Sequence, residues 1–132
     1  MTAASLLLDA YDRLLARYGP QRWWPGDSPF EVMIGALLVQ NTKWKNDGKA
    51  SDTLGESAAL DPNRLLALVP EELEELIRPA GYYRVKARRL RNLVSWFVER
   101  YDGWSDAMFA DSLATLRGEL LALNGIGPET AD

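Results

Sequence analysis

The chain has 132 residues, 47% of them hydrophobic and 26% charged, with no cysteine and no histidine. That length suits one domain, and the balance is that of a folded chain rather than a disordered one. The missing residue types exclude disulfides, cysteine-ligated zinc or iron–sulfur centres and imidazole catalysis within these residues, while the net charge of −4 speaks against an overall polyanion binder.

Taken in chain order, the sequence reads as helices joined by short turns. In "SLLLDAYDRLLARYG", Leu7, Leu8, Tyr11, Leu14, Leu15 and Tyr18 recur at helical spacing, and Gly19-Pro20 ends the run. In "DSPFEVMIGALLVQ", Ser28 fits an N-cap, Pro29 the first helical position and Glu31 the third, the pattern of a capping box. The segment after it is apolar nearly all round, which predicts a central, buried helix. A further helix is expected to begin near Trp44, with its end obscured by the polar stretch "NDGKASDTLGES".

Asp61-Pro62 repeats the cap-then-proline start before "NRLLALV", and Pro70 opens "EELEELI" with acidic residues in the first turn, where the helix dipole favours them. Pro79 and Gly81 break that helix. The longest one is expected over "YYRVKARRLRNLVSWFVERYDG", with Leu90, Leu93, Val94, Phe97, Val98 and Tyr101 as its apolar stripe and Gly103 past its end. In "DSLATLRGELLAL", Asp111 or Ser112 caps and Leu113, Leu116, Leu120 and Leu123 face inward. No alternating strand pattern or internal repeat is visible, so the class is all-α. The apolar runs are too short or too charged to span a bilayer, and no secretory leader is visible, which points to a soluble, cytoplasmic protein.

Three stretches carry candidate chemistry. The first is "LNGIGPETAD". Two glycines around one apolar residue let the backbone turn sharply and approach a ligand, and Pro128 pre-sets a helical turn. Amides of Gly125, Gly127 and the next turn then point outward, an arrangement suited to phosphate. A plain corner between two helices is the competing reading. The second is the tip of the buried helix, Gln40, Asn41 and Thr42, whose amides and hydroxyl suit base edges or the space left by a displaced base. Ordinary C-terminal capping explains them equally well. The third is the pair Trp23-Trp24, with Trp44 beyond, as apolar walls on which a base would stack; core packing is the alternative. Alongside these, Leu76 to Val98 contains no Asp or Glu but holds Arg78, Arg84, Lys86, Arg88, Arg89 and Arg91, a local basic field inside an acidic chain.

Taken in order, "SPFEVMIGALLVQNT", "AGYYRVKARRLRNLVSWF" and "LNGIGPETAD" resemble the endonuclease III-like superfamily of helix-hairpin-helix DNA glycosylases, and "WWPGDSPFEVMIGALLVQNTKWKN" resembles most its monofunctional, 3-methyladenine glycosylase-related branch. The resemblance runs from about Leu6 to Asp132. It implies an all-α, multi-helix glycosylase domain cut at the hairpin, acting in base excision repair on double-stranded DNA, with no membrane and no obligate protein partner. In a prokaryote it would sit with the nucleoid.

By that resemblance Gly125, Ile126, Gly127 and Thr130 hold a DNA phosphate, Gln40 fills the hole left by the flipped nucleotide with Asn41 and Thr42 in support, and Trp23, Trp24 and Trp44 lie near the base pocket. Lys86 falls at a basic position of the family, as a DNA contact or as a brace. Bifunctional members carry a lysine nucleophile where this chain has Glu129, and a carboxylate forms no imine, so the expected reaction is simple hydrolysis of the N-glycosidic bond of a damaged, alkylated base. The aspartate that supports this hydrolysis lies, in the family, beyond Asp132; Asp132 itself is not assigned the role. The chain is therefore expected to be an inactive N-terminal portion of a longer enzyme, with no metal site or cofactor of its own. A cluster in a longer parent is left open. A catalytically inactive DNA-binding module and a helical protein–protein domain are the alternatives. Loss of the second hairpin helix is expected to uncover Leu116, Leu120 and Leu123 and to cost stability.

Overall fold

The computed structural model describes residues 2–20, 28–40, 44–56 and 60–132, with the side chains of 44–48 and 56 outside the description. All regular structure among the described residues is helical. In order come α1 (Ala3–Tyr18), α2 (Pro29–Leu38), α3 (Trp44–Glu56), α4 (Pro62–Ala67), α5 (Pro70–Ile77), a 3₁₀ turn (Arg78–Ala80), α6 (Tyr83–Tyr101), α7 (Ser105–Phe109), α8 (Leu113–Ala122) and α9 (Pro128–Ala131).

The helix starts follow from the caps. Ser28 accepts from the Glu31 amide, Asp61 from that of Arg64 and Ser112 from that of Thr115, each hydroxyl or carboxylate occupying a donor that a helix start leaves unpaired. Asp111 is not the cap of α8; its carboxylate accepts from Tyr101 Oη at 2.6 Å instead. At the other end of α6, Asp102 takes a left-handed conformation (φ 58°), and the Gly103 amide reaches back to the Phe97 carbonyl, a Schellman closure.

The long helix α6 is the spine. It packs against α2, α4, α5 and α7, while α3 closes over α2, α5 and the 3₁₀ turn. Ile34, Leu37 and Leu38 of α2, Leu54 of α3, Leu73 and Ile77 of α5, and Leu90 and Val94 of α6 are fully buried. The Phe30 and Phe97 rings stack 5.9 Å apart between α2 and α6. The buried, all-round apolar character of α2 is thus as expected.

Two elements depart from the sequence pattern. Leu113 is 85% exposed rather than inward, because among the described residues α8 meets the core through Leu116 and Leu120, with Leu123 just past its end, all three half-buried. Helix α1 has the predicted stripe but buries none of it among the described residues, and Leu7 stands 72% exposed. No described helix is long and apolar enough to cross a membrane.

Candidate nucleic-acid interface

The tip of α2, the middle of α6 and the turn between α8 and α9 converge on one point. After α8, Leu123 and Asn124 lead into Gly125, whose φ of 94° is open to glycine and strained for any other residue. The Ile126 amide closes the turn on the Leu123 carbonyl at 3.3 Å, and the Ile126 side chain drops into the core. Pro128 then starts α9. The amides of Gly125, Gly127 and Glu129 have no acceptor among the described residues. The predicted donors of the hairpin are therefore unspent, except that Ile126 uses its own to make the turn.

Gln40 holds this hairpin from the side. Its Nε2 donates to the Gly125 carbonyl at 3.0 Å and to Thr130 Oγ1 at 2.9 Å, and its Oε1 accepts from Arg89 Nη1 at 3.1 Å. Both amide protons and the carbonyl oxygen are engaged, so the side chain is tied across the hairpin rather than projecting from it. Thr130 likewise serves the clip. Arg89 also lies flat under the turn: a Cβ added to Gly125 would stand 2.3 Å from Arg89 Cγ and 2.4 Å from its Cδ. This residue was singled out only as one of a basic run; the missing acidic residues around it were the available signal.

Lys86 does not face solvent. It is 1% exposed, and its ammonium donates to the carbonyls of Leu38 at 2.6 Å and Ala80 at 2.9 Å, the ends of α2 and of the 3₁₀ turn. The reading of Lys86 as a DNA contact gives way to that of a brace, because its donors serve helix ends and no phosphate can reach it in this arrangement. Trp23, Trp24, Asn41 and Thr42 lie outside the described residues, and Trp44 opens α3 with its side chain outside them.

Tyr82, unnoticed in the sequence, precedes α6 with φ 47° and is 70% exposed. A bulky residue held left-handed stores backbone strain. The clue in the sequence was its place between Gly81 and α6. Glu129 lines an apolar groove of about 610 Å³ with Val32 and Met33 of α2 and Leu116 and Leu120 of α8. No group of His, Cys, Asp and Glu suited to a metal ion occurs among the described residues.

An all-α domain with a glycine hairpin clipped to a buried helix tip defines a class, and the chain belongs to it: residues 34–122 match the HhH-GPD superfamily of base excision DNA repair proteins. Within that superfamily it is 42% identical over 128 residues to a candidate DNA repair glycosylase of Methanocaldococcus jannaschii, covering 96% of this chain and 58% of that protein. It is 39% identical over 104 residues to endonuclease III of Thermotoga maritima, covering 79% of this chain and 45% of that protein. The chain thus spans about half the length of these relatives. Among solved structures, the 3-methyladenine DNA glycosylase of H. pylori bound to 1,N6-ethenoadenine superposes with TM-score 0.77 at 27% identity, over all of this chain and 62% of that one. An endonuclease III trapped in a covalent intermediate with DNA superposes with TM-score 0.70 at 26% identity, over 99% and 58%.

Proposed function

We propose that the chain forms the duplex-holding part of a monofunctional DNA glycosylase, which hydrolyses the N-glycosidic bond of an alkylated base flipped out of double-stranded DNA. The observation that carries this is the hairpin: unspent amides at Gly125 and Gly127, on a turn fixed by Gln40 and Arg89, in a chain of a base excision repair superfamily. Backbone donors of this kind take a phosphate oxygen and fix the register of the duplex without reading its sequence. The exposed ring of Tyr82 offers a face on which an unstacked base can rest.

Glu129 supports hydrolysis over lyase chemistry. A bifunctional enzyme needs an amine to attack the sugar carbon and form an imine, and a carboxylate has no nitrogen with which to do so. The cationic sugar that forms as the base departs is stabilised by a nearby carboxylate. The chain spans about half the length of its relatives, so excision is assigned to the whole enzyme and the holding of the duplex to this stretch. The groove beside Glu129, walled by Val32 and Met33, supports the placing of an apolar or alkylated base there.

The test uses the 132-residue chain with duplexes containing an abasic-site analogue, a true abasic site or 1,N6-ethenoadenine. Expected are salt-dependent binding to the analogue, little base release, and no adduct with the abasic duplex under borohydride. A borohydride-trapped adduct would refute the monofunctional assignment, and absence of binding at low salt would refute the DNA reading itself. Glu129 also favours one second reading, a catalytically inactive DNA-binding module of the same fold. A longer form of the protein that binds the analogue duplex and releases no base from any alkylated substrate would establish it.

A further inference from the structure

Beside the hairpin lies a second concave surface of about 530 Å³, lined by Val85, Arg88, Arg89, Arg91 and Asn92 of α6 and by Asn124, the residue before Gly125. We propose that it is a second phosphate site, which takes a phosphodiester of the same duplex whose backbone the hairpin holds. The inference rests on the DNA-binding reading above and adds a second anchoring point to it.

The charge balance is the first argument. Three guanidinium groups line one hollow, no carboxylate lines it, and none of the three is in an ion pair among the described residues. Arg13, Arg78, Arg100 and Arg117 are in ion pairs, whereas Arg17, Arg64 and Arg84 are in no ion pair among the described residues but do not line a common hollow with the three. In a chain with more acidic than basic residues, a hollow lined by three arginines and no carboxylate is a local positive field.

The donors are the second argument. Arg91 spends its terminal nitrogens on the carbonyls of Leu66 and Leu68, and Arg89 gives Nη1 to Gln40. These bonds fix both guanidinium planes. The Nε of each is shielded from water and has no acceptor. Arg88 and Asn92, one helical turn apart on the same side of α6, are exposed and complete the rim with Asn124. The donors left for a ligand are the fork of Arg88, the Nη2 of Arg89 and the side-chain amides of Asn92 and Asn124, and with three positive charges behind them they match the acceptor-only oxygens of a phosphate. Asn124 is bonded directly to Gly125, so a ligand that fills both places is a continuous polyanion. That continuity favours a nucleic-acid strand over free phosphate.

The experiment measures duplex affinity by anisotropy between 50 and 200 mM KCl for the wild-type chain, Arg88→Ala, Arg88→Ala with Asn92→Ala, and Gly127→Ala. Gly127 has an ordinary φ of −95° and open space where a Cβ would go, so Gly127→Ala keeps the fold and crowds only the ligand side. Arg88→Ala is expected to lower the slope of log K against log salt by about 0.9 and to weaken binding roughly eightfold near 0.1 M salt. Its melting curve should be unchanged, since Arg88 is exposed and unpaired among the described residues. If both Arg88 variants keep the wild-type slope while Gly127→Ala weakens binding, the second site is wrong and the hairpin reading stands. If the wild-type chain binds no duplex, both fall.

A second measurement follows the Nε–Hε resonances of Arg89 and Arg91. Addition of duplex is expected to shift them. A saturable shift with inorganic phosphate that duplex cannot displace would make the hollow a free-phosphate site and overturn the proposal.

Discussion

Replacing Gly125 by alanine tests the hairpin clip with one methyl group. The φ of 94° lies outside the region a side chain tolerates, a strain of about 1–3 kcal/mol. The new Cβ would also stand 2.3 Å from Arg89 Cγ, a mid-chain atom that cannot swing aside without moving the guanidinium. Displacing it removes the charged hydrogen bond to Gln40 Oε1, which contributes about 1.5–3 kcal/mol. Together these give a destabilisation of about 3–5 kcal/mol, or a fall in Tm of about 10–20 °C for a chain of this size. Thermal melts followed by circular dichroism measure it. The cycle with Arg89→Ala sharpens the test: the double variant loses the clash, so it should be about as stable as Gly125→Ala alone, a non-additivity of about 1.5–3 kcal/mol. Additive effects of the two substitutions would show that Arg89 does not support the turn, and the reasoning would fail.

Other outcomes follow from single contacts. Lys86→Met keeps the volume but leaves the carbonyls of Leu38 and Ala80 without their donor, and should lower stability by about 2–4 kcal/mol in urea titration. Leu7→Lys changes an exposed residue of α1; stability should stay within about 0.5 kcal/mol, and any self-association seen by sedimentation should decrease. Burial, followed by the hydrogen bond to Asp111, pushes the Tyr101 hydroxyl up to about 12 from an ordinary value of 10. The folded state therefore keeps this proton after the unfolded chain has lost it, so the contribution is complete below pH 10 and is lost between about pH 10 and 12. Absorbance at alkaline pH should show one late-titrating tyrosine that Tyr101→Phe removes.

Local signals carried the helices well. Ser28, Asp61 and Ser112 cap where the sequence places caps, because capping depends on residues three positions apart. Helix α7 escaped notice because five residues are too few to show a period. Leu113 was read as inward from its spacing with Leu116 and Leu120, yet spacing fixes only which residues share a face and not where the neighbouring element ends.

The site divides in the same way. Gly125 and Gly127 were legible because a tight turn imposes its own residue types. The grip of Gln40 and Arg89 on that turn was not, since it joins residues 85 and 49 positions apart. Lys86 shows the limit most plainly: a lysine in a basic run reads as a surface charge until the fold shows two helix ends closing over it.

That burial also bears on the order in which the chain folds. An ammonium gives up water only when acceptors replace it, and the acceptors of Lys86 come from two segments distant from each other in sequence, the end of α2 and the turn after α5. Neither α2 nor α5 can settle fully against α6 while the other is absent, because the buried ammonium would then lack one of its carbonyl acceptors. The three helices are thereby bound into one cooperative unit. Partly assembled states with a dry core are disfavoured, and amides along α2, α5 and α6 are expected to exchange together, in a single opening event rather than helix by helix.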